Sequence, residues 1–309
     1  MAATANLSRR DIEFALQAKL SVVTFENLDL RGLDLTGLSF PRGTSFCRSN
    51  LSGVDMSGCD LSGLDFENAN LSGAILDSTN LVSANLKNAN LAGANLVRAN
   101  LCKAQLEYAK FIGARLDTAV ARGVHANSAD FSDAVLTSVD FSGAFSAGAN
   151  FQRANLSGSD FSSVRMMRAR LVGTNLADAN LTSVDLEGAD LSGARITGAR
   201  LTDARMCECR LHGADLRTTT LDHTDFRAAI YDEFTRWPEG TVVALTGAKS
   251  MEVEVPEPVT AKKGFFDRAI FTAKFDWLWE SLGAVVFMGL AGYAIWWAYS
   301  FIRRHPPPW

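Results

Sequence analysis

From Phe46 to Tyr231 a large apolar residue recurs at every fifth position, and no insertion interrupts the count. The series runs Phe46, Leu51, Met56, Leu61, Phe66 and onward to Leu216, Leu221, Phe226 and Tyr231, with Ala121, Ala126 and Ser146 as its exceptions. Helices repeat near 3.6 residues and strands near 2, so neither element alone accounts for a period of five. The residue two before each centre is small or modest, as at Ala69, Ala74, Thr79, Ala84 and Ala89. In an extended chain, residues two apart share a face, so these point the same way as the centres and the polar residue between them points outward. The remaining two positions are rich in Ser, Gly, Asp, Arg and Thr, which form turns. Each unit is therefore one short extended edge followed by one corner. The chain must coil, and stacked coils bury a continuous apolar column.

The units "ANLKN", "ANLAG", "ADLSG" and "ADLRT" resemble the pentapeptide-repeat family over about two-thirds of the chain. That resemblance implies an all-β solenoid: a right-handed quadrilateral (four-sided) parallel β-helix with four pentapeptides per coil. A four-sided coil stacks residues twenty apart. The outward position then carries Arg165, Asp185, Arg205 and Asp225 on one side and Arg170, Asp190 and Arg210 on the next, with charges alternating along the axis. A three-sided coil sets Arg195 against Arg210 instead. Exposed pairs of this kind contribute about 0 to 1 kcal/mol each.

Open solenoids need caps. Ser8 with Asp11 forms a capping box that opens a short helix through about Lys19. Larger residues, Leu28, Leu33 and Leu38, fill the small position of the first units, and one extra residue in "FPRGTSF" shifts the register around Pro41 and Gly43. At the far end "AIYDEFTRWPEG" closes the stack, with Trp237 over the last coil. This end resembles a terminal motif of many bacterial, especially cyanobacterial, members of that family.

Beyond Gly240 the period ends, and "SMEVEVPEPVTAKKG" has the composition of a spacer. Ser281 to Ile302 carries no charge over a length that crosses a bilayer as a helix. Trp277 and Trp279 precede it, and Trp296, Trp297 and Tyr299 lie near its end, as interfacial aromatic belts do. The preceding "FFDRAIFTAKFDWLWE" suits a surface-lying amphipathic helix; packing of both segments on another protein is the alternative. Residues 1–20 then form a capping helix, 21–240 the solenoid, 241–263 a linker, 264–280 an interfacial helix, 281–302 a C-terminal transmembrane α-helix and 303–309 a short tail. Lys262, Lys263, Arg268 and Lys274 before the span outnumber Arg303 and Arg304 after it, which leaves the solenoid on the cytoplasmic side. Gly283, Gly289 and Gly292 permit close helix packing, so a homo-oligomer stays open.

The formal net charge of -4 is small and its signs are mixed, which argues against a nucleic-acid partner. Cys207 and Cys209 form a CxC pair, yet in this register Cys209 faces inward and Cys207 outward, so they do not chelate one ion. His125, His212 and His223 stand on separate outward positions, and no nucleophile, base and orienting group converge. The expected chain is non-enzymatic and needs no cofactor.

Two surfaces are candidates for partners. Val120, Val135 and Phe145 occupy outward positions usually held by Asn or Asp, next to centres that have lost volume. Either Phe145 or Val124 turns inward to fill that volume, or an apolar patch receives a partner. Arg165, Arg170, Arg195, Arg200, Arg205 and Arg210 form a charged surface, of which the last four circle one coil. It is either a solvated ladder that fixes register or an anion-binding belt. The function expected is a membrane-anchored scaffold that contacts the lipid bilayer and an unidentified protein partner. An accessory subunit of a larger membrane complex is the alternative. The resemblance adds a third: quinolone-resistance members of the family imitate duplex DNA and act on type II topoisomerases, through an acidic surface that this balanced chain lacks.

Overall fold

The computed structural model describes residues 7–18, 23–243 and 246–250. Helix α1, Arg9–Gln17, opens at the expected box: the Asp11 carboxylate accepts the Ser8 N–H at 2.7 Å and the Ser8 hydroxyl at 2.6 Å. Its Ile12 is fully buried against the first coil, where Leu28, Leu33 and Leu38 are only half-buried. Arg9 donates to the carbonyls of Asp34 and Thr36. The helix thus covers apolar surface and also meets backbone acceptors at the open end.

Parallel pairing between residues twenty apart then runs along the chain: Ser45 with Asp65, Asn50 with Asn70, Asp55 with Ile75, Asp60 with Asn80, and so on to Arg210 with Ile230. Four pairings per coil define a four-sided coil. The first coil is one residue longer, since Thr24 pairs with Ser45 and Asp29 with Asn50. The extra residue is absorbed at Pro41 to Thr44, where the Thr44 N–H donates to the Pro41 carbonyl and Gly43 adopts φ 80°. A second shift occurs near the other end, where Asp215 pairs with Arg236.

One unit shows how the backbone is satisfied. Asn70 N–H donates to the preceding coil at Ser49, while Leu71 and Gly73 donate to the following coil at Asn90 and Ala92. Ala74 N–H closes the turn onto Leu71 at 3.0 Å. The fifth N–H, of Ser72, is accepted by the Asn70 side chain through Oδ1 at 3.3 Å. Asn and Asp recur at the outward position for this reason: they supply the acceptor that the ladder lacks. Asn70 Nδ2 also donates to Asn50 Oδ1 at 3.0 Å, so the amides form a ladder of their own. The corner residue following that fifth N–H sits at positive φ, whether it is Gly73 (63°) or Asn68 (58°), which is why Gly, Asn and Asp are frequent there.

The interior is a continuous apolar column. Leu51, Leu61, Leu91, Leu101 and their counterparts are entirely buried, each contributing about 1.5–3 kcal/mol. Ala121, Ala126 and Ser146 are equally buried. Their lost volume is made up within the same cross-sections. Phe131 meets Phe141 edge to face at 5.9 Å beside Ala126, and Phe151 meets Phe161 in the same way at 5.9 Å beside Ser146. Along the axis, Phe111, Phe131 and Phe151 stack at 4.8 and 4.9 Å.

Trp237 closes the far end, packed edge to face on Phe226 at 5.2 Å and on Tyr231 at 5.6 Å. The chain makes a further parallel pairing after Gly240: β1, Ile230–Tyr231, with β2, Lys249–Ser250.

Candidate interaction surface

The period of twenty sorts the outward residues onto four faces, and the sequence-predicted apolar trio lies on three of them. Val120 stands in the column of Asn100 and Asp140, Val135 in that of Arg115 and Asn155, and Phe145 in that of His125 and Arg165. The three do not form one patch. Val124 occupies a regular inward position, whereas Phe145 stays outward and half-buried. Its ring stacks on His125 at 5.0 Å, and the Arg165 guanidinium lies over its other side, 5.1 Å from the centroid. His125, Phe145 and Arg165 are thus one ladder on three successive coils.

The arginine surface is only partly a charge ladder. Arg205 reaches Asp185 at 3.5 Å and also pairs with Glu187, and Arg210 lies 3.9 Å from Asp190. Asp225 is captured instead by Arg227 two residues on, at 2.7 Å, a contact that a reading of stacked columns does not reveal. Side-chain hydrogen bonds from Arg227, aided by its N–H and by Cys207, hold the Asp225 carboxyl well below the usual carboxylate range. Arg217 does the same for Asp215. Arg195 donates to Thr197 at 3.2 Å. Arg165, Arg170 and Arg200 have no ion-pair partner among the described residues.

Sequence reasoning passed over Met167 and Arg168. They form the corner between Arg165 and Arg170, and all four side chains are exposed. The signal was present as "RMMRAR", three arginines on two adjacent sides of a single coil and the corner between them.

Cys209 faces the core, its thiol donating to the Leu186 carbonyl, and burial pushes it well above its ordinary value; Cys207 lies at the surface. Among the described residues no group of His, Cys, Asp and Glu is arranged to hold a metal ion. Depressions lie at the two ends of the stack, one lined by Leu221, Phe226 and Val242 and the other by Leu7, Asp29 and Leu33. Neither assembles a catalytic set. Trp277, Trp279, Trp296, Trp297 and Tyr299, with the interfacial and transmembrane segments expected around them, lie outside the described residues. Among the described residues no helix is long and apolar enough to cross a membrane.

The family described as Pentapeptide repeats (8 copies) matches residues 18–63, 42–77, 79–117, 129–166, 168–198 and 194–230. The chain belongs to the pentapeptide-repeat family. Its coil is accordingly the right-handed β-helix of pentapeptide-repeat proteins. Among solved structures it is similar to HetL, a pentapeptide repeat protein involved in heterocyst differentiation regulation from the cyanobacterium Nostoc. The two are 27% identical, the match covers 73% of this chain and 98% of HetL, and the TM-score is 0.36. It is also similar to QnrB1, a plasmid-mediated fluoroquinolone resistance protein, at 18% identity over 74% of this chain and 93% of that one, with a TM-score of 0.38. No curated protein matches the chain.

Proposed function

We propose that this pentapeptide-repeat protein is a non-enzymatic interaction module, anchored in a membrane by Ser281 to Ile302, whose rigid solenoid is presented to a protein partner on the cytoplasmic side. The observation that carries the reading is the division of labour within each unit. Inward positions and most Asn and Asp residues are committed to the fold, whereas Phe145, Arg165 and Arg170 interrupt the amide ladder without serving it. Solenoids offer long surfaces in place of pockets, and such surfaces suit partners. The uncharged 22-residue segment flanked by tryptophans supports the anchor. An accessory subunit of one membrane complex is the narrower form of the same reading. Imitation of DNA is disfavoured by a surface whose acids are paired with arginines, as at Asp133 with Arg153 and Asp185 with Arg205.

Alkaline carbonate extraction of membranes tests the anchor, comparing the full chain with one that ends at Lys263. Retention of the full chain and release of the shorter one is expected; release of both removes the membrane part of the proposal. Copurification from mild detergent then separates a single stoichiometric complex from a looser scaffold.

A further inference from the structure

Arg165, Arg168 and Arg170 stand around one corner of a single coil, and none of them forms an ion pair among the described residues. Arg165 and Arg170 also occupy the position where Asn or Asp elsewhere caps the corner N–H. At neighbouring corners that bond is made: Asn150 accepts from Gln152 at 3.1 Å and Asp190 from Ser192 at 3.0 Å. Here the N–H groups of Met167 and Val172 meet no acceptor in the described residues. Two consecutive corners therefore lack an anionic or carbonyl oxygen, and each has a guanidinium where that oxygen belongs. Beside them, Phe145 lies under Arg165, its ring centroid 5.1 Å from the guanidinium carbon. Met167 adds an exposed apolar side chain at the corner itself.

We propose that this corner docks an acidic peptide segment of a partner protein, with partner carboxylates taking the acceptor places vacant at Met167 and Val172 and an apolar partner side chain resting on Phe145 and Met167. This deepens the interaction-module reading and rests on it. Charge complementarity selects the occupant. The cationic band is one coil deep, about 4.8 Å along the axis. On the following coil stand Asp185, Glu187 and Asp190, already engaged by Arg205 and Arg210. On the preceding coil stand the uncharged Ala147, Gly148 and Asn150. A bilayer or a nucleic-acid duplex, broad and uniformly anionic, would press against that acidic row; a short extended segment fits between it and the neutral coil. Guanidinium to carboxylate bonds are charge-assisted and sensitive to salt.

The test is fluorescence anisotropy with the purified full chain in detergent and a labelled eight-residue peptide of Asp, Glu and Phe. Binding that weakens with salt is expected. It should weaken at least about tenfold in R165E/R168E/R170E, a loss equivalent to about 1.4 kcal/mol, and be unchanged in R200E, which reverses an unpaired arginine on another face. Circular dichroism melting confirms that each variant is folded. Equal binding by the triple variant, equal binding of a peptide with Asn and Gln in place of the acids, or association with phosphatidylserine vesicles that is stronger than with phosphatidylcholine vesicles and loses that preference in the triple variant overturns the site. Copurification distinguishes the two levels. If the triple variant keeps the wild-type protein partners, the interaction module stands and this docking site falls; if the wild-type chain retains no protein and no peptide, both fall.

Discussion

Asn90 accepts the N–H of Ala92 through Oδ1 at 3.2 Å. The bond lies within one corner, yet it is tied to the stack, because Asn90 Nδ2 donates to Asn70 Oδ1 on the preceding coil at 3.0 Å. Asn90→Ala removes both bonds and leaves the Ala92 N–H to solvent. A loss of about 1–3 kcal/mol is expected, since each of the two bonds contributes about 0.5–1.5 kcal/mol. Urea unfolding followed by circular dichroism measures it; an unchanged midpoint would show that the outward amides do not hold the corners.

The phenylalanine compensation gives opposite expectations for neighbouring residues. Phe151 is fully buried between Phe131, Phe141 and Phe161, so Phe151→Ala should cost about 3–5 kcal/mol. Ser146, in the same coil, is fully buried and its hydroxyl has no hydrogen-bond partner among the described residues. Ser146→Ala removes an unsatisfied polar group and should stabilise the protein by about 1 kcal/mol. Denaturant midpoints moving in opposite directions are the expected pair.

Trp237 packs at the C-terminal end of the stack, in contact with Phe226 and Tyr231. Terminal repeats depend on their caps. Trp237→Ala should therefore raise amide hydrogen exchange in residues 206–236 and leave 86–140 unchanged. A uniform increase along the chain would mean that the solenoid opens as one unit.

Acid should loosen both ends of the solenoid, since the carboxyls of Asp29 and Asp34 in the first coil are held below the usual range as those of Asp215 and Asp225 are in the last. Asp225 and Asp215 are held below the usual range by hydrogen bonds from Arg227 and Arg217. A carboxyl whose value is lower in the fold contributes its stability above its unfolded value of about 3.9, and that contribution is lost as pH falls through the lower folded value. The melting temperature should be flat above about pH 5 and fall below about pH 4. In Arg227→Ala, with the main anchor of Asp225 gone, that fall should be shallower. A fall beginning near neutrality would contradict this assignment.

Periodicity carried most of the fold. The spacing of the centres, the small residues two before them, the capping box at Ser8, the extra residue near Pro41 and the closing Trp237 are all local or strictly periodic features, and such features survive reading along a line. What did not survive was whatever depends on a cross-section. Phe131 and Phe141 are ten residues apart but meet across the coil, so the replacement of volume lost at Ala126 was hidden in the linear pattern. The outward trio failed as a patch for an arithmetic reason that was within reach. Val120, Val135 and Phe145 are separated by 15, 10 and 25 residues, none a multiple of twenty, so they occupy different faces. The role of Asn and Asp was invisible because hydropathy marks them only as polar, whereas their work is to accept one particular N–H.

The central claim is that this solenoid meets a protein partner through outward positions that depart from the amide ladder. Site-specific photocrosslinking in cells tests it most directly, with a photoreactive amino acid placed in turn at positions 145, 167, 170, 95 and 155 of the full chain. The account predicts protein adducts of one discrete mass from 145, 167 and 170, and none from the amide-ladder positions 95 and 155. Adducts of equal yield from every position, or from none, would contradict it.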